Sequence, residues 1–135
     1  MKAKELQLGD YVDYRGRIIK VTSLYDKGGS NEVGWGIKED TWVNADNVKP
    51  IPLEKIHLTK NGFKAREYTD DTEFYYYDSY EINVSFDEGI SEENIPPIIF
   101  LTIEFAEKSI AMPIEYVHEL QQAMRIMGCD KEIGL

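Results

Sequence analysis

The 135-residue chain has one cysteine, two histidines, few prolines and no long apolar run, and each scarcity closes off a class of proteins. The lone Cys129 can form neither an intramolecular disulfide nor a cysteine-based zinc site, which predicts a reducing, cytoplasmic setting without disulfide chemistry. No stretch approaches the roughly 20 apolar residues that cross a bilayer, and Met1-Lys2-Ala3-Lys4-Glu5 leads into no signal-like segment, so no membrane association is expected. His57 and His118 are too few for a hydrolytic zinc centre, and neither H-x-x-x-H nor H-x-x-E-H occurs. Gly28 with Gly29, and Gly34 with Gly36, fit neither phosphate-cradling pattern, and neither set lies between a strand and a helix. No metal and no cofactor is expected.

Positive charge is the other shortage. The net charge is −10, divided unevenly: residues 1–68 carry 12 Lys and Arg against 10 Asp and Glu, residues 69–135 carry 3 against 15. An acidic balance of this size repels phosphate backbones and anionic membranes, above all in the second half. Any nucleic acid would have to meet the first half.

The residues left for catalysis are weak candidates. Cys129 follows a helix end, where the dipole and Asp130 both raise a thiol pKa, and a pairing with His118 would need the tail to fold over the helix. The run Asp70, Asp71, Glu73 and Asp78 lacks the spacing of a calcium loop and reads as a solvated turn. No catalytic residue is assigned, and an enzyme is not expected.

What is present is a dense set of short strands. Leu8-Gly9-Asp10-Tyr11-Val12-Asp13-Tyr14 and residues 17–25 are split by Arg15-Gly16 as a hairpin. A loop over residues 26–31 precedes the alternation of Val33, Trp35 and Ile37, and another strand begins at Trp42-Val43. The turn formers Asn44-Ala45-Asp46-Asn47 lead into Val48-Lys49-Pro50-Ile51-Pro52, which two prolines hold extended. Four or five strands in about fifty residues predict a small barrel.

The order Leu8-Gly9-Asp10-x-Val12, hairpin, strand, then Trp42-Val43 and Val48-x-Pro50 resembles SH3-like barrels of the Tudor and KOW type. That resemblance implies a barrel over the first third and an aromatic groove for a peptide or methylated cation at Tyr11, Tyr14, Trp35 and Trp42. Over most of its length, through Trp42-Val43-Asn44, Pro50-Ile51-Pro52-Leu53, Lys60-Asn61-Gly62-Phe63 and Tyr116-Val117-His118-Glu119-Leu120-Gln121, the chain is similar to short proteins of Bacteroides-type genomes and prophages. The family carries no assigned activity, and the similarity implies a mobile-element context.

In the second half, residues 53–61 read as a short connector helix with Pro52 at its start and Gly62 at its stop. A turn over residues 69–73 precedes a strand in which Tyr80, Ile82, Val84 and Phe86 alternate with Glu81, Asn83 and Ser85. Residues 87–97 form a second acidic loop, and residues 98–105 a central strand with Ile99, Leu101, Ile103 and Phe105 on one face. After a turn at Glu107-Lys108 and a strand over 109–112, Pro113 opens a helix over 114–127, stopped by Gly128.

The expected class is α+β: an SH3-like barrel over residues 1–52, a connector helix over 53–62, and an acidic lobe over 63–135 whose antiparallel sheet packs on one C-terminal helix. In Phe74-Tyr75-Tyr76-Tyr77 consecutive aromatics point to both sheet faces, so one face is free for a protein partner or another copy of the chain, with Tyr75 and Tyr77 as candidate contacts. The leading functional expectation is a non-enzymatic binding or adaptor protein. The alternatives are nucleic-acid binding through Lys2, Lys4, Arg15, Arg17 and Lys20 with Tyr11 or Tyr14 stacking, mimicry of nucleic acid by the acidic half, or an enzyme centred on His118 or His57.

Overall fold

The computed structural model describes residues 1–27, 30–35, 41–66 and 72–135. Gly28, Gly29, Gly36, Ile37, Thr69, Asp70 and Asp71 lie outside the described residues. The chain divides into two compact units, one of Met1–Pro52 with Tyr116–His118 and Leu135, the other of Leu53–Glu115 with Glu119–Gly134. Each has its own antiparallel sheet, and the two helices make the class α+β.

In the first unit β1 (Tyr11–Tyr14) and β2 (Arg17–Lys27) form the hairpin expected from Arg15-Gly16. Tyr14 faces Arg17 across a two-residue turn in which Arg15 and Gly16 have φ of 52° and 82°, matching the right-handed twist of the strands. Strand β3 (Ser30–Trp35) pairs with β2 as far as Lys27 and Ser30, so the outer residues of the expected 26–31 loop belong to the ladder. Strand β4 (Trp42–Asn44) follows, then a 3₁₀ turn (Ala45–Asn47) capped by Asn44, whose side chain accepts the Asp46 N–H at 2.8 Å, and β5 (Val48–Pro50). The sheet order is β4-β3-β2-β1-β5.

The expected barrel is not closed: β4 and β5 occupy opposite edges of this sheet. Both edge strands are only three residues long, and beyond β5 the chain bridges from Pro52 to Tyr116 rather than to β4. The core sits on one face, where Val12, Ile19, Val21, Val33 and Val48 are buried with Ala3, Leu6 and Ala45. Asp10 is buried too, and accepts the Gln7 N–H at 2.8 Å, tying down the Leu8-Gly9 turn. Its motif is thereby explained as a turn anchor.

The second unit opens with α1 (Lys55–Lys60), which starts two residues later than expected; Glu54, not Pro52, caps it. Its sheet contains β6 (Lys64–Ala65), β7 (Thr72–Tyr77), β8 (Ile82–Asp87), β9 (Ile98–Phe105) and β10 (Lys108–Ile114), in the order β10-β9-β8-β7-β6. Thr72 and Glu73, expected in a turn, begin β7. Tyr80 ends a 3₁₀ turn (Asp78–Tyr80) rather than starting β8. The expected central strand is β9, flanked by β8 and β10.

Pro113 does not open a helix. It lies in β10 opposite Phe100, tolerated because β10 is an edge strand whose missing donor costs no interior bond. The helix α2 (Val117–Ile126) begins only after Tyr116, with the Glu119 carboxylate in its first turn accepting the Glu115 N–H at 2.9 Å. Gly128 (φ 77°) ends it as expected; its N–H reaches Arg125 O and that of Cys129 reaches Met124 O, satisfying carbonyls that the helix leaves open. The core of this unit includes the inner sheet face (Ile82, Val84, Leu101, Ile103) and one side of α2 (Leu120, Ala123, Met124), with Met127 buried just beyond the helix.

Candidate functional site

Residues directly opposite in an antiparallel ladder share a face, so the register decides which aromatics can act together. In the first unit Val12 faces Ile19 in the core, which places Tyr14 and Arg17 on that side and Tyr11 and Lys20 on the other. Val33 and Val43 pair on the core side, so Trp35 lies with them and Trp42 opposite Gly34 on the outer side. The four aromatics expected to line one groove are therefore divided. Tyr14 and Trp35 pack against the core; Tyr11 and Trp42 share the outer face but sit on strands three spacings apart, about 14 Å.

Their rings also carry cations of the same chain. The Arg17 guanidinium lies 4.4 Å from the centroid of Trp35, Arg15 lies 5.3 Å from Tyr14, and the Lys20 ammonium 5.9 Å from Tyr11. A face already holding a guanidinium gains little from a second cation, which argues against a methylated-cation cage at Trp35. Trp42 is the most open of the four, 38% exposed, and its ring covers Gly34, where a Cβ would stand 2.9 Å from the Cβ of Ser23 and 3.4 Å from the Trp42 ring.

In the second unit the same parity reverses an expectation. Tyr75 pairs with Val84 and Tyr77 with Ile82, both buried, so these two tyrosines face inward. Tyr75 is buried against Phe86, ring edge to face at 5.6 Å, and Tyr77 meets Phe63, Tyr80 and the Lys131 ammonium. Phe74 and Tyr76 are the residues that turn outward. Phe74, Ser85, Phe100 and Pro113 form one row across four strands, and Tyr76, Asn83, Thr102 and Ala111 the next. At the edge Arg66 stacks on Tyr76 at 4.1 Å. Phe100 is 38% exposed, and Ala111 and Pro113 are exposed beside it.

His118 is buried and stacks on Tyr116, 5.8 Å between centroids. His57 Nδ1 accepts the Glu54 N–H at 3.0 Å at the start of α1; burial holds the imidazole below its ordinary pKa, with Glu54 opposing and Lys60 adding to the effect. Cys129 is buried, and burial first, then Asp130, raises its thiol pKa. Glu73 pairs with Lys55, whose ammonium it holds above the usual pKa, and Asp78 starts the 3₁₀ turn before β8. Among the described residues no three His, Cys, Asp or Glu side chains gather as metal ligands. No described helix is long and apolar enough to cross a membrane.

An open cleft of about 550 Å³ lies at one end of the second sheet between residues 78–81 and 104–109, over the Tyr80–Phe105 ring contact. Asp78, Glu81, Glu104 and Glu107 line it with Lys108. Comparison with known protein families, curated proteins and solved structures finds no match to this chain.

Proposed function

We propose that this chain is a non-enzymatic binding protein, an adaptor that works through protein–protein contacts made by the outward face of its second sheet. The observation that carries the reading is the row Phe74, Ser85, Phe100 and Pro113, backed by Tyr76, on a face whose central Phe100 is open to solvent. Aromatic side chains on a rigid sheet offer large contact area at little entropic cost, the composition of interface centres. The single five-stranded antiparallel sheet of the first unit supports keeping its SH3-like character within the proposal, as a second contact module, and the wider resemblance supports a mobile-element setting.

The cation–aromatic pairs on the β1–β2 hairpin favour a second reading, in which Arg15, Arg17 and Lys20 meet nucleic acid. One experiment separates the two. Tagged protein is used to recover ligands from an extract of its own cells, with and without nuclease, alongside Phe100→Asp. A stoichiometric protein that survives nuclease and is lost from Phe100→Asp is the expected result; recovery that nuclease abolishes moves the function to the hairpin.

A further inference from the structure

The connection between β8 and β9, residues 88–97, is closed by its own backbone. Ile90 and Ile95 exchange both amide bonds, at 3.0 and 2.9 Å, and the Gly89 N–H reaches the Asp87 carboxylate at 2.8 Å. Between them a 3₁₀ turn (Ser91–Glu93) ends at Asn94 in the left-handed region (φ 55°), whose N–H bonds Ser91 O. Gly89 has φ of 73°, and a Cβ there would stand 2.3 Å from Ile95 O and 2.7 Å from the Pro96 carbonyl. The two arms touch because no side chain separates them.

A loop paired in this way holds one shape, yet it spends none of that order on burying its own apolar groups. Ile90 and Ile95 are 44% and 47% exposed, and Ile98 at the base of β9 is 50% exposed. Ile90 and Ile95 are directly opposed across their bridge, so both side chains leave on the same side. Isoleucine is among the residues most often buried, and a preorganised pair turned to solvent marks a contact surface. Around the pair Asp87, Glu88, Glu92 and Glu93 are exposed, and residues 67–107 contain no Lys or Arg. Two copies of this loop would bring carboxylates against carboxylates, which opposes a symmetric self-contact and favours a partner of opposite sign.

We infer that the closed loop carrying Ile90 and Ile95 is a docking element for a basic amphipathic surface on a partner protein, its apolar centre covering the isoleucines and its flanking Lys and Arg meeting Asp87, Glu88, Glu92 and Glu93. This rests on the reading of the chain as a protein-binding module and names the chemistry of what it binds.

The test uses the full chain with labelled isoleucine methyl groups and two synthetic helical peptides that share a leucine face, one flanked by lysines and the other by glutamates. The lysine peptide is expected to move the Ile90 and Ile95 signals, and the glutamate peptide to leave them in place. The double variant Ile90→Ser, Ile95→Ser is expected to weaken binding about tenfold or more. The pair Glu92→Gln, Glu93→Gln is expected to weaken it and flatten its salt dependence. Equal shifts at Ile18, Ile56 and Ile126, or undiminished affinity in the isoleucine variant, reduce the effect to adsorption on an acidic surface and overturn the proposal. Concentration-dependent shifts without peptide overturn it in favour of a second copy. If a natural partner is recovered by the loop variants but lost from Phe100→Asp, the loop proposal fails while the adaptor reading stands; if the wild type retains no protein, the adaptor reading fails.

Discussion

Asn61 is buried, and its side-chain amide is used from both ends. The amide group donates to His57 O at 2.7 Å and to Gly134 O at 2.9 Å, while its carbonyl accepts the Gly134 N–H at 2.8 Å. One residue thus closes the last turn of α1 and fastens the end of the chain to it. Asn61→Ala removes all three bonds and is expected to lower stability by about 1–3 kcal/mol, read as a shift of the urea midpoint with unchanged slope. An unchanged midpoint would show that water replaces the amide without loss. In Lys60-Asn61-Gly62 the helix stop was legible from the glycine, but the bond to Gly134 spans 73 positions and has no local signature.

The start of α1 carries a pH-sensitive contact. The Glu54 N–H needs an unprotonated His57 Nδ1, and burial already holds the folded imidazole below its ordinary value. A base whose pKa is depressed on folding binds protons more readily when unfolded. Its contribution is therefore complete above the unfolded value near 6.5 and is lost as pH falls through that value toward the folded one. The urea midpoint is expected to drop between about pH 7.5 and 5.5, and to drop less in His57→Gln, which keeps an acceptor at the same helical position without titrating. Equal pH dependence in both proteins would place the effect elsewhere. Strand β10 shows how an element's place in a sheet overrides its local signal: Pro113 reads as a helix opener in sequence, yet an edge strand accepts it, and the helix waits until Val117.

At the scale of the whole molecule, the net charge of −10 is carried largely by residues 69–135, and repulsion among those carboxylates opposes compactness. Raising sodium chloride from about 20 to about 200 mM shortens the screening length from some 20 Å to less than 10 Å and is expected to raise the thermal midpoint. A falling midpoint would mean that attractive pairs such as Lys55–Glu73 outweigh the repulsion. Charge asymmetry, the mixed class, the first hairpin, β8, β9 and the stop at Gly128 were all legible in sequence, because alternation, turn formers and helix-ending glycine act over a few residues. The open first sheet was not, since closure depends on whether two three-residue strands meet at long range. Nor was the aromatic face: Phe74-Tyr75-Tyr76-Tyr77 established that one set must point outward, but only the pairing with buried Ile82 and Val84 decided that it is Phe74 and Tyr76. The side-chain period of a strand is two, so a four-residue aromatic run is equally compatible with either face until its neighbours bury one of them.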